Sequence, residues 1–490
     1  MLSAVEQTRL RVSKKTEAKK KSQFGQFFTP ERTAQFMAGL FRPGINGDCR
    51  VLDAGAGIGS LSNAFLERFL SKDFIFSKIE LTAFELDESL HEDLGRILSK
   101  NISNIPLTYK ILGGDFIENA VFQIQFGQGN FTHAILNPPY KKINSNSNYR
   151  LLLRQVGIET VNLYSAFVAL VLLLMAPGGQ VVAIIPRSFC NGPYYRPFRD
   201  FLLKLAAINH LHLFDSRTKA FKDDEVLQEN IIIRLERGGR QGPVTISTST
   251  DDSFTDLVTH EYPFEQIILP DDPERFIHVP TSPVKNIIDL YRAKFISLAE
   301  LGINVSTGPV VDFRVTEHLS ELAGPGTVPL LYPSHFSSSG IEWPKVGLKK
   351  PDSIKLNRDT EKWLYPNGFY CVVRRFSSKE ERRRIVASVV APAAFEGAPM
   401  LGFENHLNVF HFNKGGLPQE LADGLAVFLN STAVDENFRR FNGHTQVNAT
   451  DLKMMKYPSL AVLNELGEWA LESGVLTQTM IDEMVGRLIA

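Results

Sequence analysis

The chain has 490 residues, 43% hydrophobic and 22% charged, with a formal net charge of −1. That length gives two or three domains with ample core, and the ordinary globular composition excludes a fibrous or largely disordered chain. A charge so close to zero confines any nucleic-acid surface to a local patch.

Residues 1–23 are basic, with Arg9, Arg11, Lys14, Lys15, Lys19, Lys20 and Lys21 against Glu6 and Glu17, and read either as an arm that touches phosphate or as a solvated, frayed terminus. No apolar h-region follows, so no signal peptide is expected. In Phe24-Gly25-Gln26-Phe27-Phe28-Thr29-Pro30, Thr29 is placed to cap a helix that starts at Pro30 and runs through Ala34, Phe36, Met37 and Leu40. From residue 50 to about 237 strand and helix patterns alternate. Strands are expected at Arg50–Asp53, Ile79–Leu86, Leu107–Leu112, Phe131–Leu136, Val181–Ile185, His210–Phe214 and Asn230–Glu236. Helices are expected at Leu61–Leu70, Glu88–Lys100, Leu163–Met175 and Pro193–Ala206. That order implies an α/β fold with a parallel, doubly wound sheet. The apolar run Ala166–Ala176 is too short to span a bilayer and reads as a core helix. Cys49, Cys190 and Cys371 are far apart, without metal-ligand spacing, which points to a reducing, cytoplasmic setting and no metal site.

Gly238-Gly239-Arg240-Gln241-Gly242-Pro243 marks a boundary. The expected division is therefore an arm at 1–23, an α/β domain at 24–240 and a mixed α+β domain at 245–490. In the last of these a helix is expected at Val284–Phe295, and one or two amphipathic helices from Pro458 to Ala490.

Four strand ends carry the chemistry-bearing residues. After the first, Asp53-Ala54-Gly55-Ala56-Gly57-Ile58-Gly59 lets a ligand approach the backbone at Gly55 and Gly57. Asp53 suits a ligand with an ammonium group better than a pyrophosphate. The second ends Glu85-Leu86-Asp87, where Glu85 could chelate both hydroxyls of a ribose. The third ends Asp115-Phe116, an acceptor for an adenine amino group with a ring to stack on it. The fourth ends Asn137-Pro138-Pro139-Tyr140. Two prolines stiffen that turn and remove two N–H donors, which leaves the Pro138 carbonyl and the Asn137 oxygen as acceptors beside the Tyr140 ring. Such a group would grip a planar ring bearing an NH₂, with adenine the working hypothesis; the alternative is an ordinary proline turn.

Phe27-Phe28-Thr29-Pro30, Asp53-Ala54-Gly55-Ala56-Gly57, Glu85-Leu86-Asp87, Asp115-Phe116 and Asn137-Pro138-Pro139-Tyr140, in that order, resemble the γ-class DNA adenine-N6 methyltransferases. The tail Phe438-Arg439-Arg440-Phe441-Asn442-Gly443-His444-Thr445-Gln446-Val447-Asn448-Ala449-Thr450-Asp451-Leu452 resembles the PstI/BsuBI-like and Eco57I-like members found in restriction–modification systems. The resemblance implies a Rossmann-like domain binding S-adenosylmethionine and a C-terminal target-recognition domain. It places Thr29 and Asp53 at the amino acid end of the cofactor, Glu85 at its ribose, and Asp115 and Phe116 at its adenine, with Phe28, Gly55, Gly57 and Leu86 also in the cofactor site. Asn137 and Pro138 would hold the target amine, and Pro139 and Tyr140 would complete the pocket of a flipped base. A second aromatic on the opposite base face is implied, with Phe221 the candidate and Phe214 the runner-up.

A duplex needs a surface. Between Ile341 and Arg384 there are 12 Lys and Arg against 6 Asp and Glu, interleaved with Trp343, Trp363, Tyr365, Phe369, Tyr370 and Phe376. Arg374, Arg375, Arg382 and Arg383 are candidates for phosphate or guanine contacts, and His444, Thr445 and Gln446 for base edges. The expected protein is a monomer acting on double-stranded DNA, with a cognate endonuclease, if any, acting independently. Protein glutamine-N5 methylation, RNA adenine methylation and a non-catalytic DNA-binding module are the competing readings.

Overall fold

The computed structural model describes residues 3–15, 28–43, 47–70, 76–102, 104–215, 229–337 and 340–490. The chain divides into two compact units, Met1–Thr281 and Ser282–Ala490.

The first unit is built on a nine-stranded sheet. Its strands in chain order are β1 (Asp48–Ala54), β2 (Lys78–Phe84), β3 (Leu107–Leu112), β4 (Phe131–Leu136), β5 (Met175–Pro186), β6 (Ala206–Phe214), β7 (Asn230–Arg237), β8 (Val244–Ser249) and β9 (Val258–Tyr262). In space they run β3-β2-β1-β4-β5-β7-β6-β8-β9. The helices are α1 (Ala4–Lys15), α2 (Glu31–Gly39), α3 (Ser60–Leu70), α4 (His91–Ser99), α5 (Phe116–Gln125), α6 (Asn148–Gln155), α7 (Leu163–Leu174) and α8 (Arg196–Leu205). One face of the sheet packs on α2, α3 and α4 through Met37, Phe65, Leu94 and Ile135. The other packs on α5, α7 and α8 through Val121, Leu170, Leu202 and Leu136. Burial on both faces is why these strands read as near-continuous apolar runs. The helix α7 is enclosed, with ten of its residues buried from Tyr164 to Leu174. Among the described residues no helix is long and apolar enough to cross a membrane.

Strand order reverses between β1 and β4, which pair in parallel through Val51–His133 and Leu52–Ala134. Successive crossovers run left from β1 to β2 and β3, then right to β4 and β5, so the carboxyl ends of β1 and β4 part and open a crevice. The sheet is not parallel throughout. The strand β7 inserts antiparallel between β5 and β6, and β9 is antiparallel to β8. An apolar run buried on both faces carries no mark of its direction, so periodicity could not distinguish these cases.

The turn at Gly238–Pro243 is a strand reversal rather than the boundary between units. Gly238 takes φ +67°, and β8 then pairs with β6, carrying the first unit on to Thr281. Thr29 does not cap α2. The cap is Pro30, without a side-chain bond, and the Thr29 hydroxyl instead accepts from Asn137 Nδ2 at 3.1 Å.

In the second unit a four-stranded sheet is ordered Asn304–Thr307, Leu407–His411, Tyr370–Arg374, Ala387–Val390, and a five-stranded sheet has Thr327–Leu331 at its centre. Five helices follow: α9 (Gln419–Leu429), α10 (Thr432–Phe441), α11 (Ala449–Met454), α12 (Leu460–Ser473) and α13 (Gln478–Ile489). The helix expected at Val284–Phe295 is reduced to one turn at Ile287–Leu290 and a 3₁₀ turn at Arg292–Lys294. It stops there because Ile296 extends to pair with Tyr457. The expected helices of the tail are α12 and α13, and Asn448 caps α11 through a capping box with Asp451.

Candidate active site

The turn after β1 is tied to the end of β2, with the N–H groups of Gly55 and Ala56 donating to the Phe84 carbonyl at 2.9 and 2.8 Å. Gly55 and Gly57 lie at φ +86° and +57°, where a side chain would be strained. A Cβ at Gly57 would also meet the Phe28 ring at 3.2 Å. Phe28 itself is buried with Ile58, Leu90 and Ile97, so it closes the floor of the glycine turn.

Three carboxylates border this crevice, each held differently. The Glu85 carboxylate accepts from Gly57 N and Asp87 N, both at 2.7 Å. Burial raises its pKa, and those two N–H groups oppose the shift. Asp115 caps α5 by accepting from Ile117 N at 2.8 Å and Glu118 N at 3.2 Å. Its other oxygen accepts from the Tyr149 hydroxyl at 2.5 Å. Asp53 is fully buried, and one oxygen accepts from Ser62 Oγ at 2.6 Å. The other oxygen has no partner among the described residues. An unpartnered buried carboxylate oxygen is costly, and burial pushes the Asp53 pKa up to about 7. A cation arriving at this oxygen would remove that penalty, which fits the ammonium of an amino acid moiety.

Leu86 follows Glu85 with 47% of its surface exposed, available to cover a nucleoside. Phe116 is only 4% exposed, packed edge-on to Phe84 and tilted on Phe167, so its ring is part of the core wall beneath the crevice. Asp87 caps the turn after β2 through Ser89.

Asn137-Pro138-Pro139-Tyr140 lies across the crevice from the glycine turn. A Cβ on Gly55 would be 3.9 Å from the Asn137 carbonyl oxygen. Asn137 Nδ2 donates to Thr29 Oγ1 at 3.1 Å, which orients the amide. Its Oδ1 lies 2.9 Å from the Tyr140 hydroxyl, and that hydroxyl is also 3.2 Å from the Ile184 carbonyl. Tyr140 therefore has an alternative acceptor when Asn137 Oδ1 takes another donor. Burial raises the Tyr140 pKa and keeps the phenol protonated. Phe221 lies outside the described residues. Phe214, the runner-up, is 3% exposed and edge-on to His212, inside the core.

The basic segments of the arm and the second unit are largely engaged. Arg9 is 2% exposed and paired with Glu6 at 2.7 Å, and Arg11 with Asp93 at 2.6 Å; Lys19, Lys20 and Lys21 lie outside the described residues. Arg374 pairs with Glu381, and Arg375 donates to the Asn405 carbonyl at 3.1 Å. Arg382 is exposed. Arg383 is partly buried, donating to Gln478 at 2.5 Å and the Ser431 carbonyl at 2.9 Å. The structure brings Arg375 together with the predicted loop, since Val447 N donates to the Arg375 carbonyl at 2.7 Å and Phe376 bridges Gln446. Thr445 is exposed on this loop, with His444 and Gln446 half-buried beside it. Sequence reading missed the brace beneath: Arg384, 2% exposed, donates to Asn442 at 2.8 Å and the His444 carbonyl at 2.6 Å. It also missed Ser62 and Tyr149, which hold Asp53 and Asp115. Ser62 lies nine residues after Asp53 on the helix that the glycine turn leads into, a spacing that offered a signal.

A glycine turn bordered by strand-end carboxylates, with Asn137-Pro138-Pro139-Tyr140 at the next strand end, fits a protein of the methyltransferase class. Comparison with known proteins narrows it. The Eco57I restriction-modification methylase family matches residues 4–221. The type II methyltransferase M.BsuBI of Bacillus subtilis is 54% identical over 480 residues, covering 96% of this chain and 95% of its own. M.PstI of Providencia stuartii, another type II methyltransferase, is 41% identical over 476 residues, covering 95% and 93%. The chain belongs to the type II methyltransferases of restriction–modification systems, and S-adenosylmethionine is the cofactor. A structure of the type IIL restriction–modification enzyme MmeI in complex with DNA shares the fold at a TM-score of 0.54 and 10% identity, over 99% of this chain and 75% of that one.

Proposed function

We propose that the chain methylates the N6 amine of an adenine flipped out of duplex DNA, as the modification half of a restriction–modification system. The observation that carries this reading is the Asn137 amide, oriented by its bond to Thr29 so that Oδ1 stands as an acceptor beside a crevice whose acids suit a nucleoside with an ammonium group; the Pro138 carbonyl would be the second acceptor. An adenine amine is a poor nucleophile because its lone pair is delocalised into the ring. Two acceptors on its hydrogens favour a pyramidal nitrogen and return the lone pair. When bound, S-adenosylmethionine supplies a methyl on a sulfonium, already an electrophile. The protein then has only to hold amine and methyl in line, and such positioning is worth several kcal/mol of the barrier.

Each residue takes a part in that positioning. Asp53 would receive the ammonium, Glu85 the ribose hydroxyls, and Asp115 with Leu86 the adenine of the cofactor. Thr29 orients Asn137, and Tyr140 stacks on the target base while its hydroxyl turns to Ile184. Flipping is required because the amine is inaccessible inside a duplex. On the second unit, Arg375, Arg382 and the loop His444–Gln446 are the proposed DNA contacts. The near full-length match to two type II methyltransferases supports DNA over protein or RNA.

The test is transfer of labelled methyl to DNA, RNA and protein in parallel, followed by mass analysis of the DNA nucleosides. N6-methyladenine in DNA is expected. Label confined to protein or RNA, or appearing as a methylated cytosine, would overturn the proposal.

A further inference from the structure

We propose that Asn230 reads the ring edge of the target adenine and so helps to set which base the site accepts; this rests on the reaction proposed above. Asn230 opens β7 and is 5% exposed, yet among the described residues both its amide oxygen and its amide nitrogen lack a hydrogen-bond partner. A buried polar group left unpaired costs about 1–3 kcal/mol. Native folds rarely keep two such atoms on one side chain without a use for them.

Three observations place this amide at the target base rather than at the cofactor. First, Asn230 pairs in register with Pro186, and Leu136 with Ala183. Asn230 and Asn137 therefore stand at the same carboxyl edge, two strands apart. Two strand spacings are roughly 10 Å, a span that a purine ring and its hydrogen bonds fill. The cofactor carboxylates lie on the other side of β4, at β1, β2 and the end of β3.

Second, the two amides share a face. Side chains alternate along a strand. Ile232 packs with the α2 and α3 core, and Arg234 donates to the Leu40 carbonyl at 3.0 Å, so Asn230 belongs to the α2 side. Asn137 reaches Thr29, just ahead of α2.

Third, Tyr140 points the base this way. Its hydroxyl lies 3.2 Å from the Ile184 carbonyl, so the ring extends from β4 over β5 towards β7. A base stacked on that ring, with its amine at Asn137, turns its opposite edge to Asn230. The residue before is fixed: Arg187 Nη1 meets Glu229 Oε1 at 2.6 Å in the interior, and Arg187 N donates to the Glu229 carbonyl at 2.7 Å.

The chemistry is selective. A primary amide carries a donor pair and an acceptor, and adenine offers unprotonated ring nitrogens to the donor. A base without an acceptor there would leave the amide unpaired.

The test is a chemical double-mutant cycle. Once the recognition site is mapped by methylome sequencing, duplexes are made with the target adenine replaced by 3-deazaadenine, which lacks the ring acceptor opposite the amine, or by 7-deazaadenine. Binding and single-turnover methylation are measured for the wild type and for Asn230→Ala. The wild type should lose roughly tenfold on one analogue, one hydrogen bond's worth. Asn230→Ala should lose a similar factor on adenine and nothing further on that analogue. Its KM for S-adenosylmethionine should be unchanged, and its stability equal or raised, since an unpaired amide is removed; a purely structural asparagine would lower it. Should Asn230→Ala fail to fold, Asn230→Ser takes its place in the same cycle. Equal losses for wild type and variant on both analogues, with normal wild-type transfer, overturn the inference. A wild type that makes no N6-methyladenine in DNA overturns the reaction on which it rests.

Discussion

Protonation of Asp53 should govern cofactor binding near neutral pH. The carboxyl is fully buried in β1, with one oxygen on Ser62 and the other without a partner among the described residues. Burial raises its pKa from 3.8 to about 7; Ser62 opposes the rise, and the nearby Glu85 charge adds to it. An unfolded aspartate titrates near 3.9, so between about pH 4 and 7 the folded protein holds a proton that the unfolded chain has released. Stability of the cofactor-free protein therefore falls as pH rises through that window. At about 1.4 kcal/mol for each pH unit, the loss is at most about 4 kcal/mol. Binding an ammonium reverses the preference, because only the carboxylate pairs with it. Affinity for S-adenosylmethionine should thus drop about tenfold for each pH unit below 7 and level off above it. Calorimetry between about pH 5 and 8, in buffers of different ionisation heat, should detect release of about one proton near pH 6. Glu85 is also raised by burial, and Asp53→Asn separates the two groups. That variant should bind the cofactor about 10- to 100-fold more weakly at pH 8, the range expected for losing a charged hydrogen bond, with little pH dependence. It should also lose the decline in stability. An affinity level across this range, or wild-type binding by Asp53→Asn, would refute the reasoning.

Other outcomes follow from the same geometry. Asn137→Ala should slow single-turnover methyl transfer by about 10²–10³-fold, the scale of losing one preorganised polar contact in a transition state, while S-adenosylmethionine binding stays within twofold; an unchanged rate would remove Asn137 from the reaction. Gly59→Ala puts a Cβ 2.7 Å from the buried Leu94 at φ +91°, and urea unfolding should register a loss of about 2–3 kcal/mol. Gly424→Ala is more severe, because its Cβ would lie 1.7 Å from the Leu463 carbonyl oxygen. Backbone cannot yield there, so α9 and α12 must separate and the loss should exceed about 4 kcal/mol; a soluble variant of normal stability would refute that packing. Arg382→Ala should weaken DNA binding and reduce its salt slope by about one with an unchanged melting curve. Arg383→Ala should lower the melting temperature instead, since Arg383 bonds Gln478 and Ser431.

What the sequence disclosed follows from what local chemistry can encode. The strands β3 and β4 are legible to the residue, because a buried run bounded by turn residues is a local property. So are the strand-end acids, since a carboxylate beside a glycine turn is conspicuous whatever surrounds it. Direction and partnership are not local. The apolar run of β7 reads the same parallel or antiparallel, and only pairing with Pro186 brings Asn230 to the edge that holds Asn137. Arg382, Arg383 and Arg384 are neighbours in sequence and chemically identical, yet one is exposed, one bonds the helices, and one is buried under the His444 loop. Burial decides their roles: an exposed guanidinium can exchange water for phosphate, whereas a buried one already has its carbonyl and amide acceptors and would leave them unpaired. A basic run is thus legible as a surface only after the fold has assigned each cation. The excess charge between Ile341 and Arg384 therefore overstates the number of arginines free to meet a duplex.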